Sequence, residues 1–147
     1  MEITIERLRA RDWQRGMENT ALFWDKNPPT EQKLKEFLAK EYNVLIVAEI
    51  DGKPAGQIIG YVLERWDNYP PMFFFYSIDV AESAQRMGIG RRLVEKFREV
   101  GRELGCGISF VFTNESNIGA MEFYKSTGAV RPNPDDVMYE YLDGERY

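Results

Sequence analysis

Apolar residues recur at two periods along the chain, and the change of period marks the elements. Ile3 and Ile5 alternate with polar neighbours and lead to Leu8, which predicts a short first strand. Asp12 stands where it can cap a helix starting near Trp13. Asn27-Pro28-Pro29 breaks that region, because proline cannot extend a helix. Thr30 then caps a second helix that carries Leu34, Phe37, Leu38 and Tyr42 on one face. Residues 44–50 form a β-branched run ending in Asp51-Gly52, a hairpin signal, and residues 57–65 return as the next strand. A loop rich in turn formers at 67–71 leads to Met72–Val80, the most aromatic stretch, which reads as a buried strand.

The second half changes rhythm. Residues 81–90 are polar and punctuated by glycine. Leu93, Val94, Phe97, Val100 and Leu104 lie near helical spacing, so residues 90–104 predict a helix closed by Gly105. Residues 108–112 read as a strand, 113–117 as a loop, 118–127 as a helix closed by Gly128, and 137–142 as a last strand. No repeat, low-complexity tract or linker interrupts this order, which predicts one domain over residues 1–147. The fold class is α/β in the broad sense (α+β). An antiparallel hairpin is followed by a parallel strand–helix–strand unit, expected to be a right-handed crossover, so the sheet is mixed.

Composition narrows the chemistry mostly by exclusion. There is no histidine, so a Ser-His-Asp triad, a histidine base and a histidine metal ligand are all ruled out. Cys106 is the single cysteine, which excludes an intrachain disulfide and a Cys-x-x-Cys zinc site; it reads as a small buried hydrophobe. No metal is expected. The apolar runs, such as 44–48, fall far short of a membrane span, and the first residues lack a signal-peptide core. With no disulfide, a cytoplasmic location with no membrane partner is expected. A net charge of −5 argues against a nucleic-acid binder and suits a cationic small molecule.

The most informative segment is Ile78-Asp79-Val80 followed by Gln85-Arg86-Met87-Gly88-Ile89-Gly90-Arg91, between a strand and a helix. Glycine lets the backbone approach a bulky ligand. The amides of a helix start are unsatisfied, and the helix dipole adds partial positive charge, so phosphate is the natural occupant. Arg86, Arg91 and Arg92 concentrate positive charge there in an acidic chain. A P-loop would need Lys-Ser/Thr after its second glycine, and a dinucleotide fingerprint a third glycine where Leu93 stands.

Gln85-Arg86-x-Gly88-x-Gly90, five residues after Val80, resembles the acetyl-CoA loop of the GCN5-related N-acetyltransferase (GNAT) superfamily. The segment from Asn117 through Ala120 and Tyr124 to Gly128 is similar to the second motif of that family. The resemblance implies a GNAT-like fold: a mixed, mostly antiparallel twisted sheet with a parallel, splayed central strand pair flanked by helices. It implies acetyl-CoA as cosubstrate and no metal. Pantetheine would pair with main-chain groups around Ile78 and Val80. The pyrophosphate would be held by amides near Gln85, Arg86, Met87, Gly88, Gly90 and Arg91. Asn117 matches a residue that contacts the cofactor chain, and as readily reads as a helix N-cap. Tyr124 matches the tyrosine that protonates the leaving thiolate; a phenol of pKa about 10 keeps its proton at neutral pH.

The implied reaction is direct attack of a neutral amine on the thioester carbon, with the Val80 amide stabilising the oxyanion. An alkylammonium must first lose a proton, and Asp79 is the candidate base. Strand alternation puts Asp79 on one face with Ser77, Phe75 and Phe73. Within the superfamily, the aromatic strand and the acidic residues after Val137-Met138 resemble aminoglycoside 3-N-acetyltransferases. The strand aspartate of that subfamily aligns with Ser77, whereas the acid here is Asp79; a local bulge would reconcile the two. The acceptor side would draw on Trp13, Phe23, Trp24 and Asp25, and on Asp135, Asp136, Glu140 and Asp143. These readings imply an acetyltransferase acting on a small amine. A peptide or protein amine is the alternative acceptor, a non-catalytic acyl-CoA-binding module the alternative class, and a homodimer one assembly open to it.

Overall fold

The strand and helix signals of the sequence resolve into eleven elements. β1 (Ile3–Arg7), a 3₁₀ turn (Ala10–Asp12), α1 (Trp13–Phe23) and α2 (Glu31–Ala39) come first. β2 (Asn43–Ile50), β3 (Lys53–Leu63) and β4 (Met72–Val80) follow. A second 3₁₀ turn (Glu82–Ala84), α3 (Ile89–Glu103), β5 (Ile108–Phe110) and α4 (Ile118–Ser126) complete the order. The computed structural model describes residues 1–147, which divide into two compact units, Met1–Phe112 and Thr113–Tyr147. No helix is long and apolar enough to cross a membrane.

In the first unit the strands form one sheet in the order β1-β2-β3-β4-β5. The first three pairings are antiparallel and the last is parallel, as the sequence predicts. Asp51 (φ +50°) and Gly52 (φ +79°) both take the left-handed conformation that a tight hairpin between β2 and β3 requires. β3 therefore zips from Lys53, four residues earlier than its apolar pattern suggests.

One face of the sheet carries α1 and α2. Leu8, Leu34, Leu38, Leu45 and Val47 pack there into a core. Thr30 caps α2 as expected, its hydroxyl accepting from the Lys33 amide at 3.1 Å. The helix stops at Ala39, short of Tyr42. Asp12 departs from its expected role. Its carboxylate accepts from the Arg9 amide at 2.8 Å and closes the 3₁₀ turn instead of capping α1.

The opposite face receives α3, which buries Ile89, Leu93, Val94, Phe97 and Val100. Phe97 stacks on Phe73 of β4 with ring centroids 3.8 Å apart. The approach is close because β3 offers glycines beneath the helix. A Cβ on Gly60 would lie 2.3 Å from Phe97 Cε2 and 2.9 Å from the Phe74 carbonyl.

The predicted last strand does not form. Residues 137–142 have no strand partner and are exposed, Tyr141 at 93%. Alternating apolar residues fit a pleated surface, but only pairing makes a strand. The parallel β4–β5 pair consequently ends the sheet and spans only Met72–Phe74 against Ile108–Phe110.

Gly60→Ala should cost about 1–3 kcal/mol of stability, because neither the Phe97 ring nor the backbone can give way freely. Urea unfolding checks this, and an unchanged midpoint would show that α3 is less tightly seated.

Candidate active site

β4 is the element around which the site is built, and its two ends have different company. β5 accompanies only its first three residues, so Ile78 to Val80 have no strand partner on that side. The Ala81 amide donates to the Ala55 carbonyl of β3 at 2.8 Å. By the alternation of an antiparallel ladder, the main-chain groups of Ile78 and Val80 then point away from β3, toward the vacated edge.

The loop after β4 ends at the start of α3. Arg86 (φ +67°) and Gly88 (φ +75°) are both left-handed. For an arginine that conformation costs about 1–2 kcal/mol. Strain of this kind is maintained where the backbone must present its amides to a ligand. The first α3 bond runs from the Arg92 amide to the Gly88 carbonyl at 3.1 Å, so the Ile89 and Gly90 amides precede the ladder. An added Cβ on Gly88 would meet nothing within 4 Å, so the space in front of that backbone is open. Exposed arginines at 86, 91 and 92 add positive charge. Left-handed backbone, helix-start amides, arginines and free space together fit a pyrophosphate.

An open cleft of about 790 Å³ adjoins this loop, lined by Leu22 and Phe23 of α1, Val80 of β4, and Ala81, Glu82, Ser83 and Gln85. A second depression of about 320 Å³ lies on the outer side of α3 among Arg92, Glu95, Lys96, Glu99 and Arg102. The charges there already pair in part (Lys96 with Glu99, 3.3 Å), and nothing of the β4 loop reaches it.

A β-bulge changes which residues share a face of β4. Ile59 pairs with Ser77, but the next residue, Gly60, pairs with Phe75, leaving Tyr76 as the extra residue. Phe73 and Phe75 point to Phe97 of α3. Phe74 and Tyr76 point the other way, toward Tyr61 and, through it, Phe37 of α2. Asp79 sides with this second group, since Trp24, at the end of α1, donates its indole N–H to Asp79 Oδ2 at 3.3 Å. The simple alternation that puts Asp79 with Phe75 and Phe73 is thus corrected: the bulge rotates the strand between Phe75 and Ser77, separating Ser77 and Asp79 from the two phenylalanines.

Burial pushes the Asp79 carboxyl above its ordinary value, and the Trp24 indole and Gln57 amide pull it partly back. Gln57 is the cross-strand partner of Asp79 and is fully buried. Its amide lies close enough to draw the carboxyl pKa down but short of hydrogen-bond geometry, and neither of its polar atoms has another partner. The buried Ser77 hydroxyl is also unpartnered. An unmet buried polar group costs about 1–3 kcal/mol.

The second unit contributes α4. Asn117 is its N-cap, the side chain accepting from the Ala120 amide at 3.1 Å. Tyr124 lies two turns on, half-buried, with its ring 5.5 Å from that of Phe123. Burial raises its phenol pKa above the ordinary value, so it holds its proton more firmly. Asp135 and Asp136 are exposed, and Glu140 pairs with Arg146 at 2.9 Å.

The first unit therefore brings Ile78, Asp79, Val80, Gln85, Arg86, Met87, Gly88, Gly90 and Arg91 into one strand–loop–helix corner. Of the residues expected on the acceptor side, Phe23 and Trp24 reach it. Trp13 instead lies under the Lys35 ammonium, 5.3 Å from its ring centre. Sequence reading passed over Gln57; the signal was a glutamine inside a strand otherwise fit for burial on both faces. No group of three or more His, Cys, Asp or Glu side chains that could hold a metal forms.

This corner offers helix-start amides beside a half-open strand edge, an arrangement suited to a phosphate-bearing group. The profile of the Acetyltransferase (GNAT) family matches residues 5–129, and the chain belongs to that family of acetyltransferases. It is 27% identical over 135 residues to the N-terminal acetyltransferase A complex catalytic subunit ard1 of Schizosaccharomyces pombe, covering 88% of this chain and 74% of that one. The crystal structure of an aminoglycoside acetyltransferase, meta-AAC0020 from an uncultured soil metagenomic sample, in complex with sisomicin superposes with a TM-score of 0.82. That protein is 26% identical over 95% of this chain and 96% of its own. The aminoglycoside acetyltransferase AAC(6')-Iy, in complex with a bisubstrate analogue of CoA, shares the fold with a TM-score of 0.81 at 16% identity, covering 96% and 99% of the two chains.

The raised Asp79 pKa has a consequence for stability. The folded state binds its proton more tightly than the unfolded state, so this group lowers stability as pH rises through the carboxylate range and above. Asp79→Asn should therefore melt at or above the wild-type temperature at pH 7, and the gap should close on acidification below that range. Thermal scans against pH check the sign; a variant less stable only at neutral pH would show that the carboxylate is a net stabiliser.

Proposed function

We propose that the protein transfers an acetyl group from acetyl-CoA directly to a primary amine of a small cationic molecule of aminoglycoside type, residues 1–147 acting as one domain. The observation that supports this best is the half-buried Asp79 carboxyl with its raised pKa, one residue before the lip of the cleft. A carboxylate whose pKa is raised is a stronger base toward an ammonium than an ordinary one.

The thioester supplies an activated acetyl carbon. Amides of Gln85, Arg86, Met87, Gly88, Gly90 and Arg91 hold the pyrophosphate, Ile78 and Val80 pair with the pantetheine through their main chain, and Asn117 contacts the same chain. Asp79 takes a proton from the substrate ammonium, its O–H bond forming as the N–H bond breaks. The freed nitrogen bonds to the acetyl carbon as the carbon–sulfur bond breaks, and the new amide nitrogen gives its second proton to water. The Val80 amide donates to the acetyl oxygen as charge develops on it. Tyr124 gives its phenol proton to the departing sulfur and recovers one from solvent.

The similarity to aminoglycoside acetyltransferases favours a polyamine-like acceptor. The similarity to a protein N-terminal acetyltransferase subunit favours a second reading, in which the acceptor is a peptide amine. A panel of aminoglycosides, polyamines and peptides, followed by thiol release, separates the two. A cationic acceptor predicts turnover with the first two classes and a KM that rises with ionic strength more than kcat falls, since exposed charge pairs are screened. Preference for peptides with a salt-indifferent KM would establish the second reading.

Gly88→Asp should weaken CoA binding at least about tenfold, because loss of one hydrogen bond to a charged group costs about 1.5–3 kcal/mol and the added carboxylate repels phosphate. At φ +75° the substitution costs about 1–2 kcal/mol, but an added Cβ meets nothing within 4 Å and aspartate tolerates the left-handed region, so the variant should fold with a modestly lowered melting temperature. Calorimetry with CoA reads the effect, and unchanged affinity in the folded variant would reject the site.

A further inference from the structure

We infer that Gln57 is a positioning residue for Asp79, its amide turning to serve the carboxylate as a donor and the carboxylic acid as an acceptor. The inference rests on the reading of Asp79 as the proton acceptor. Three observations lead to it. Gln57 pairs with Asp79 across the β3–β4 ladder, on the same face of the sheet. It is fully buried, and its surroundings along the strands are apolar: Ile58 follows it and Val47 of β2 pairs with it, both fully buried. Neither amide atom finds a hydrogen bond anywhere in the protein. A glutamine left so has no structural task that a leucine would not do better.

The chemistry supplies the task. The Trp24 indole is a donor only, so it can hold Asp79 while the carboxyl is ionised and offers nothing once Oδ carries a proton. A glutamine amide has both an N–H donor and a carbonyl acceptor. Its Nε2–H donates to the carboxylate before transfer. After transfer, Oε1 accepts the new O–H until the proton passes to water. No electrons change hands and no further reactant is needed.

Charged and titratable groups on the packed elements do not substitute for it. Arg15 of α1 pairs with Glu49 and Glu6, Glu18 of α1 is exposed, and Tyr61 of β3 meets Tyr76 of β4 edge to face. The groups that act on Asp79 are its burial, Trp24 and Gln57.

The test uses the full chain with Gln57→Leu, and with Gln57→Met as a second variant of similar volume. Carbon-13 NMR of the Asp79 carboxyl in the ligand-free protein should show its titration midpoint moving up in both variants. Melting temperature should hold or rise. With acetyl-CoA and the best amine of the panel, kcat should fall about tenfold or more at neutral pH, with KM for acetyl-CoA unchanged. The acid limb of kcat/KM should shift in the same direction as the NMR midpoint. In an Asp79→Asn background, Gln57→Leu should add no further loss. An unmoved carboxyl midpoint in a folded variant overturns the inference whatever the rates do. A midpoint that moves while Asp79→Asn retains the full pH profile supports the positioning and rejects Asp79 as the base.

Discussion

The seat of α3 on β3 and β4 is the constraint on which the rest depends. Phe97 can stack on Phe73 only because β3 has no side chain at Gly60 to hold the helix off. Gly56 does the same one turn earlier, where a Cβ would press on Leu93 and Ile89. This packing fixes the axis of the helix, and with it the direction in which its first amides point. The loop between β4 and α3 must then span a short gap in a set geometry, and the left-handed Arg86 and Gly88 are how the chain does so. A helix start is generically attractive to anions. Here the tight seat holds that helix start next to the loop that, with Val80 of β4, lines the cleft.

The same strand is asked to do two things, and the bulge at Tyr76 lets it. Upstream, β4 must give Phe73 and Phe75 to the α3 core. Downstream, it must turn Asp79 toward the end of α1 while Ile78 and Val80 keep their main chain free at the edge. A regular strand would put Asp79 on the α3 face among buried apolar side chains such as Ile89 and Leu93, where an ionised carboxyl is costly. One extra residue moves it to a half-buried position beside Trp24. There burial raises its pKa, and the nearby Trp24 donor, which favours the ionised form, pulls it partly back.

Much of this was legible in the sequence, and what was not has a physical reason. Period and punctuation located the Asp51-Gly52 hairpin, the Thr30 cap, the α3 stripe and the glycine loop, because each is a local property of a few residues. The bulge was not legible, because it depends on the register that β3 imposes on β4. Nor was the absence of a strand at 137–142, since pairing is a property of two segments. Asp12 shows the limit in a cap: an aspartate before a helix can serve the turn behind it as well as the helix ahead. Gln57 was written in the chain as a polar letter in an apolar strand, but its significance appeared only with the residue across the ladder.

The division between main chain and side chain also explains why the family is plain while the acceptor is a matter for experiment. In the proposed reading the donor half of the corner is set by amides and dihedrals, which tolerate wide change in the surrounding sequence provided the fold persists. In the proposed reading the acceptor half is set by side chains: Leu22, Phe23 and Trp24 at the end of α1, and Asp79 with Gln57 behind it. Leu22, Phe23 and Trp24 sit at the end of a helix that packs on the Leu8–Leu34–Leu45 core through Gly16 and Met17, not on the α3 seat. The two halves rest on opposite faces of one sheet. Substitutions on the α1 face can therefore accumulate without disturbing the loop backbone before α3, and β4, shared by both faces, is where the two requirements meet.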